Sequence, residues 1–221
     1  MRASKIKASK KNSKKILLFF SGFGLGINYF ADFLSNFTDR FDEIYFVDNY
    51  LDFELDFSFL NGSKEEFGGD SVWVMAFSMG VSIFSRLDFR EINVVYKMAI
   101  NGTMQGISKD FGIHPQVFLH TQKHLDFKAF LRAIYGHANF KYFDFDIAIL
   151  KQELKAIYEF IMQNEIKKMQ WDLAVISTED AIFERKILLN AWEKSALLIR
   201  EIQSPHFCFD SKEFRQIFSN I

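Results

Sequence analysis

The chain has 221 residues, of which 49% are hydrophobic and 25% charged, and its formal net charge is −1. That length suits one domain with one sizeable core, and the balanced charge excludes a molecule built as a whole to hold nucleic acid. The single cysteine, Cys208, excludes an internal disulfide and a multi-cysteine metal site, and fits a reducing cytoplasm.

In chain order, residues 1–15 come first, with Arg2 and six lysines but no acid. Like charges repel, so this segment is expected to be a disordered basic tail. The apolar run that follows, 16–20, is cut by Ser21-Gly22 and Gly24 and has no small-x-small cleavage site after it. An exported leader is therefore not expected, and a cytoplasmic protein is. Continuous apolar runs at 16–20, 44–47, 72–77, 94–100 and 173–177 suit strands buried on both faces of a parallel sheet. Helical spacing occupies 27–37, 81–87, 183–195 and 211–219. Strand–helix alternation of this kind predicts an α/β fold with a mostly parallel central sheet.

The alternation fails at 104–170, where no clear strand occurs and 127–135 and 147–166 read as helices. The expected organisation is a core of 16–103 and 171–221, interrupted by a helical lid over 104–170. The 28 phenylalanines are expected mainly in the core, with a greasy substrate channel as the other use. No apolar segment approaches the roughly 20 residues that span a bilayer, so no membrane partner is expected.

The strongest chemical signal is Ala76-Phe77-Ser78-Met79-Gly80, between a strand and a helix. It is a G-x-S-x-G nucleophile elbow with alanine in the first position. A serine on that tight turn needs small neighbours and projects its Oγ out of the sheet. The plainer reading is a strand-to-helix turn with an N-cap serine. A second signal is Ser21-Gly22-Phe23-Gly24, directly after the first strand. Hydrolysis through a tetrahedral intermediate needs two N–H donors aimed at the oxyanion; here they would be those of Met79, after the nucleophile, and Phe23. A dinucleotide loop is the rival for Gly22-x-Gly24-x-Gly26, but Ile27 and Tyr29 stand where the last glycine of GxGxxG belongs. The third signal is chain order. Asp180 follows the 173–177 strand and His206 lies after the last apolar stretch, 196–202, matching the order Ser, acid, His of an α/β-hydrolase fold. Glu179 competes as the acid. His120 and His124 have the spacing of a helical metal pair but lack a third ligand, so neither metal nor cofactor is expected.

These strings, with Ala99-Ile100-Asn101-Gly102-Thr103, Asp180-Ala181-Ile182-Phe183, Asn190-Ala191-Trp192 and Pro205-His206-Phe207, resemble the compact BioG-type branch of the pimeloyl-acyl-carrier-protein methyl ester esterases. The sequence departs from that pattern at Phe23, where tryptophan is common, and at Glu184 and Cys208, where proline is usual. The resemblance implies an enzyme of biotin synthesis that hydrolyses pimeloyl-acyl-carrier-protein methyl ester to pimeloyl-acyl carrier protein and methanol, with Ser78 as nucleophile, Asp180 as acid and His206 as base. It also implies a strongly acidic carrier protein as partner. Lys123, Lys128, Arg132 and Lys141, with Asp126 the sole acid among them, would receive it; alternatively these cations only keep the lid soluble. A general carboxylesterase or thioesterase, and a non-catalytic interaction protein of the same fold, are the other classes to weigh.

Overall fold

The computed structural model describes residues 1–8, 14–54, 57, 60, 70–90, 92–137 and 143–219. Seven strands form one sheet: β1 (Arg2–Lys7), β2 (Lys15–Phe20), β3 (Glu43–Asp48), β4 (Ser71–Phe77), β5 (Val94–Ile100), β6 (Trp171–Ser177) and β7 (Ala196–Ile202). Their order is β1-β3-β2-β4-β5-β6-β7. All neighbours are parallel except β1 and β3. The chain leaves β2 toward β3 on one side, then returns to β4 on the other. Strand order therefore reverses between β2 and β4, which opens a crevice at their carboxyl ends where such sheets place ligands. The register sets Phe20 beside Ala76, so the loop after β2 and the turn after β4 start level with each other.

The helices are α1 (Ala31–Ser35), α2 (Met79–Phe84), α3 (Pro115–Lys123), α4 (Phe127–Tyr135), α5 (Ile147–Gln163), α6 (Arg185–Trp192) and α7 (Lys212–Ser219). The helix expected at 27–37 is divided into a 3-10 turn, Ile27–Tyr29, and α1, because Phe30 at φ −113°, ψ 0° leaves helical geometry. Phenylalanine fills the core. Phe19 stacks on Phe46 at 5.5 Å, and Phe30, Phe33 and Phe77 all pack on Phe209 at 4.7–5.0 Å. Such pairs add to plain area burial.

Two further findings differ from the sequence reading. The basic segment 1–15 is not a disordered tail over 2–7, which forms the edge strand β1. Its cations do not merely repel one another, because β3 supplies buried acids. Arg2 donates to both oxygens of Asp48 at 3.1 and 2.9 Å, and Lys5 and Lys14 reach Glu43 at 2.9 and 3.1 Å. The stretch 196–202, read only as apolar, is the opposite edge strand.

Segment 104–170 carries α3, α4 and α5, capped by His114, Asp126 and Asp146 respectively. Arg86, buried at the end of α2, ties both ends of this segment to the core. It donates to the carbonyls of Met104 at 2.6 Å and Gln105 at 3.3 Å at one end, and of Asn164 at 3.0 Å at the other. Among the described residues no helix is long and apolar enough to cross a membrane.

Candidate active site

Ser78 occupies the turn between β4 and α2 with φ +55° and ψ −124°. A non-glycine residue in that region costs roughly 1–3 kcal/mol and persists only where its surroundings enforce it. They do so by close approach. A Cβ on Gly80 would lie 2.4 Å from the Ser21 carbonyl oxygen, one on Gly102 would lie 2.2 Å from that of Ser78, and one on Gly22 would touch Ser78 Cβ at 3.0 Å. The Ser78 side chain makes no capping hydrogen bond, so the plain N-cap role does not account for it.

Phe23 and Met79 flank this serine. Among the described residues neither backbone N–H donates to a protein acceptor, and both residues line the same cavity as Ser78. The loop that carries Phe23 is fastened at several points. The Ser21 N–H donates to Val47 O at 2.9 Å, the Tyr50 hydroxyl donates to Ser21 O at 2.8 Å, and Ser21 Oγ bonds Leu25 O.

Asp180 and His206 meet after β6 and β7. Asp180 Oδ2 lies 2.7 Å from His206 Nδ1, and both side chains are fully buried. The other oxygen, Oδ1, accepts the N–H groups of Ile182 and Phe183 at 2.7 and 2.9 Å, an Asx turn that fixes the carboxylate plane. The imidazole lies against Phe77, with centroids 4.8 Å apart, and is stacked on Phe183 at 6.1 Å. Its Nε2 is buried and has no hydrogen-bond partner among the described residues. Glu179 is exposed and accepts instead from Gln203 Nε2 at 3.3 Å, so the acid beside His206 is Asp180.

The string 99–103 holds these pieces together. Asn101, at φ +47°, donates from Nδ2 to Ser177 Oγ at 2.7 Å and to His206 O at 2.6 Å, while its Oδ1 accepts the Ser177 N–H at 2.7 Å. Trp192 Nε1 donates to Gly102 O at 2.9 Å. One buried amide thus links the ends of β5 and β6 to the histidine loop, a role that a lone Asn in a sequence does not reveal.

Above Ser78 is a cavity of about 210 Å³. Its floor is Phe23, Ser78 and Met79; its roof is Val117, Phe118 and Thr121 of α3, Phe130 of α4 and Leu154 of α5. Among the described residues no charged side chain lines it. Of the cations singled out from sequence, the three described ones lie outside this lining. Lys123, Lys128 and Arg132 are exposed, the last two one turn apart on α4, while Lys141 lies outside the described residues. Two residues that the sequence reading did not single out also bear on the site: Arg86, described above, and Glu153 of α5, which is buried against the loops after β2 and β3.

This arrangement is that of an α/β-hydrolase. A crystal structure of BioG from Haemophilus influenzae superposes with a TM-score of 0.75 over 95% of each chain at 22% identity. A lipase-esterase related protein from Clostridium acetobutylicum matches with a TM-score of 0.66 over 99% of this chain and 98% of that one at 15% identity. The family model described as pimeloyl-ACP methyl esterase BioG matches residues 4–216, and the chain belongs to that family. A malonyl-[acyl-carrier protein] O-methyltransferase from Bacteroides fragilis is 28% identical over a 204-residue alignment that covers 88% of this chain; the chain spans 40% of that protein's length.

Proposed function

We propose that the chain is a serine carboxylesterase that hydrolyses pimeloyl-[acyl-carrier protein] methyl ester to pimeloyl-[acyl-carrier protein] and methanol, as a cytoplasmic step of biotin synthesis. The observation that carries this reading is the buried Asp180–His206 pair, whose imidazole packs on Phe77 next to the strained Ser78, with Ser78 at the floor of a cavity lined by uncharged described residues. In the reading, His206 Nε2 takes the Ser78 proton as Oγ attacks the ester carbonyl. Asp180 holds the proton on Nδ1 and so keeps Nε2 basic. The N–H groups of Phe23 and Met79 meet the oxyanion. Collapse of the tetrahedral intermediate breaks the carbonyl–OCH3 bond, and His206 returns the proton to give methanol. Water, deprotonated by His206, then cleaves the acyl-serine ester and restores the hydroxyl.

The uncharged lining supports a neutral ester as substrate. Burying the carboxylate formed by hydrolysis beside Phe23, Phe118 and Phe130 is costly without a partner charge, and this favours release of the product. Family membership and a relative named for an acyl-carrier-protein substrate support the carrier as partner. On α4, Phe130 lines the cavity while Lys128 and Arg132 are exposed on the same helix. A cationic surface of this sort, with the exposed Lys123 beside it in sequence, would steer an acidic carrier to the cavity.

The test is hydrolysis of the carrier-bound methyl ester, followed by methanol release, with the free dimethyl ester as comparison. Ser78→Ala should abolish both activities. Lys128→Glu with Arg132→Glu should raise KM severalfold for the carrier-bound ester only, and added salt should weaken the wild type more than the double variant. No turnover of the carrier-bound ester by wild type, alongside rapid cleavage of free esters, would leave a general carboxylesterase.

A further inference from the structure

Glu153 is 6% exposed, on the helix whose next residue, Leu154, roofs the cavity. A carboxylate is seldom buried to this degree unless it is paired. This one faces backbone: Oε1 accepts the Tyr50 N–H at 3.1 Å, and the nearby Gly24 N–H also favours its ionised form. Gly24 directly follows Phe23. It stands at φ +68°, and a Cβ there would come within 2.8 Å of the Phe127 ring and 3.2 Å of Leu150 Cδ2. The loop is therefore wedged between α4 and α5 and has no room for a side chain. From below, the Tyr50 hydroxyl holds Ser21 O, so Glu153 and Tyr50 together grip both ends of the short segment 21–24.

We propose that Glu153 is a positioning residue for the oxyanion loop. By accepting the Tyr50 N–H and lying beside the Gly24 N–H it holds, together with the Tyr50 hydroxyl on Ser21 O, the peptides on either side of the Gly22–Phe23 peptide, whose N–H is the oxyanion donor, and it couples that donor to the helix roofing the site. The proposal rests on the esterase reading above, since it assigns the Phe23 N–H to the oxyanion. An oxyanion donor must be placed before the reaction begins, because its contribution lies in costing no reorganisation. A neutral or apolar replacement of Glu153 should therefore act on the chemical step more than on substrate binding.

The experiment uses Glu153→Gln and Glu153→Met in the full chain, with p-nitrophenyl butyrate as substrate and urea unfolding at pH 8. Glutamine keeps one acceptor but turns an amide NH2 toward the second N–H; methionine offers neither N–H an acceptor. Outright loss of an oxyanion donor costs about 10²–10³ in kcat. Glutamine should then lower kcat by roughly tenfold and methionine by more, with KM within about twofold and the urea midpoint of the glutamine variant not lowered. An unchanged kcat, an effect confined to KM, a fall in kcat that tracks a lowered urea midpoint, or failure of both variants to fold would each overturn the proposal, the last two by making Glu153 a structural residue only. Ser78→Ala in the same assay separates the two readings. If it retains wild-type turnover, or the wild type has none, the esterase reading falls and takes this proposal with it. If Ser78→Ala is inactive and Glu153→Gln is not impaired, only the proposal falls.

Discussion

Asp180→Asn tests the arrangement most sharply, because the geometry dictates which way the new amide must face. Asp180 Oδ1 accepts two backbone N–H groups, those of Ile182 and Phe183. An amide NH2 in that position would confront two donors, so the asparagine oxygen must stay there. Its NH2 is then driven against His206 Nδ1, 2.7 Å from the present Oδ2. That nitrogen must become the acceptor, the ring proton moves to Nε2, and the tautomer can no longer take a proton from Ser78. Loss of the correct tautomer costs about 10⁴ in kcat, close to 5.5 kcal/mol of barrier. The buried pair keeps one hydrogen bond, so stability should fall by only about 1 kcal/mol. Steady-state kinetics on p-nitrophenyl butyrate, with urea unfolding of the same samples, separates the two effects. Glu179→Gln, at an exposed side chain bonded to Gln203, should leave kcat within about twofold. An asparagine variant within tenfold of wild type, or an equal loss from Glu179→Gln, would refute the assignment.

Ser78→Gly should be inactive yet raise the urea midpoint, since relief of a φ of +55° is worth about 1 kcal/mol after the entropy of glycine is counted; a lowered midpoint would mean the turn is unstrained. Arg86→Ala should cost about 2 kcal/mol in the same assay, because it leaves the part-buried carbonyls of Met104, Gln105 and Asn164 without their charged donor, and should speed proteolysis within 104–170. Glu153 is pushed up from 4.5 to about 7 by burial first, with the negative charge of Asp48 adding to it. A raised acid binds its proton more tightly folded than unfolded, so its contribution is complete below about pH 4.5 and is lost as pH rises through about 7, a span of roughly 3 kcal/mol. Glu153→Gln should remove that decline from the urea midpoint measured between pH 5 and 8, and an unchanged slope would show that this carboxyl is not the group responsible.

Much of the fold is legible because the central strands are buried on both faces, and so β2 to β6 read as continuous apolar runs. The edges escape that logic. β1 alternates cations with small residues, and its partners Glu43 and Asp48 stand about forty residues away, so the segment reads as repelling charge until the acids are seen beside it. The elbow is legible because a strained serine demands small neighbours; Asp180 against Glu179 is not, because adjacent acids differ only in which way the chain turns. The Glu179 N–H continues the pairing of β6 and β7 by bonding Ser204 O at 3.1 Å, and the next residue is the one free to fold inward. Glu153 and Arg86 are the least legible of all. Each looks like a solvated helix charge, and each acts on backbone groups, which leave no side-chain signature. They also cross the boundaries drawn at 103/104 and 170/171 in opposite senses: Arg86, from the core, donates to the carbonyls at both ends of the helical segment, and Glu153, from that segment, accepts the Tyr50 N–H of a core loop. Cutting the segment out would strand a buried guanidinium and release the loop that carries Phe23. The helices over the cavity are therefore part of the structure that shapes the site as well as a cover for it.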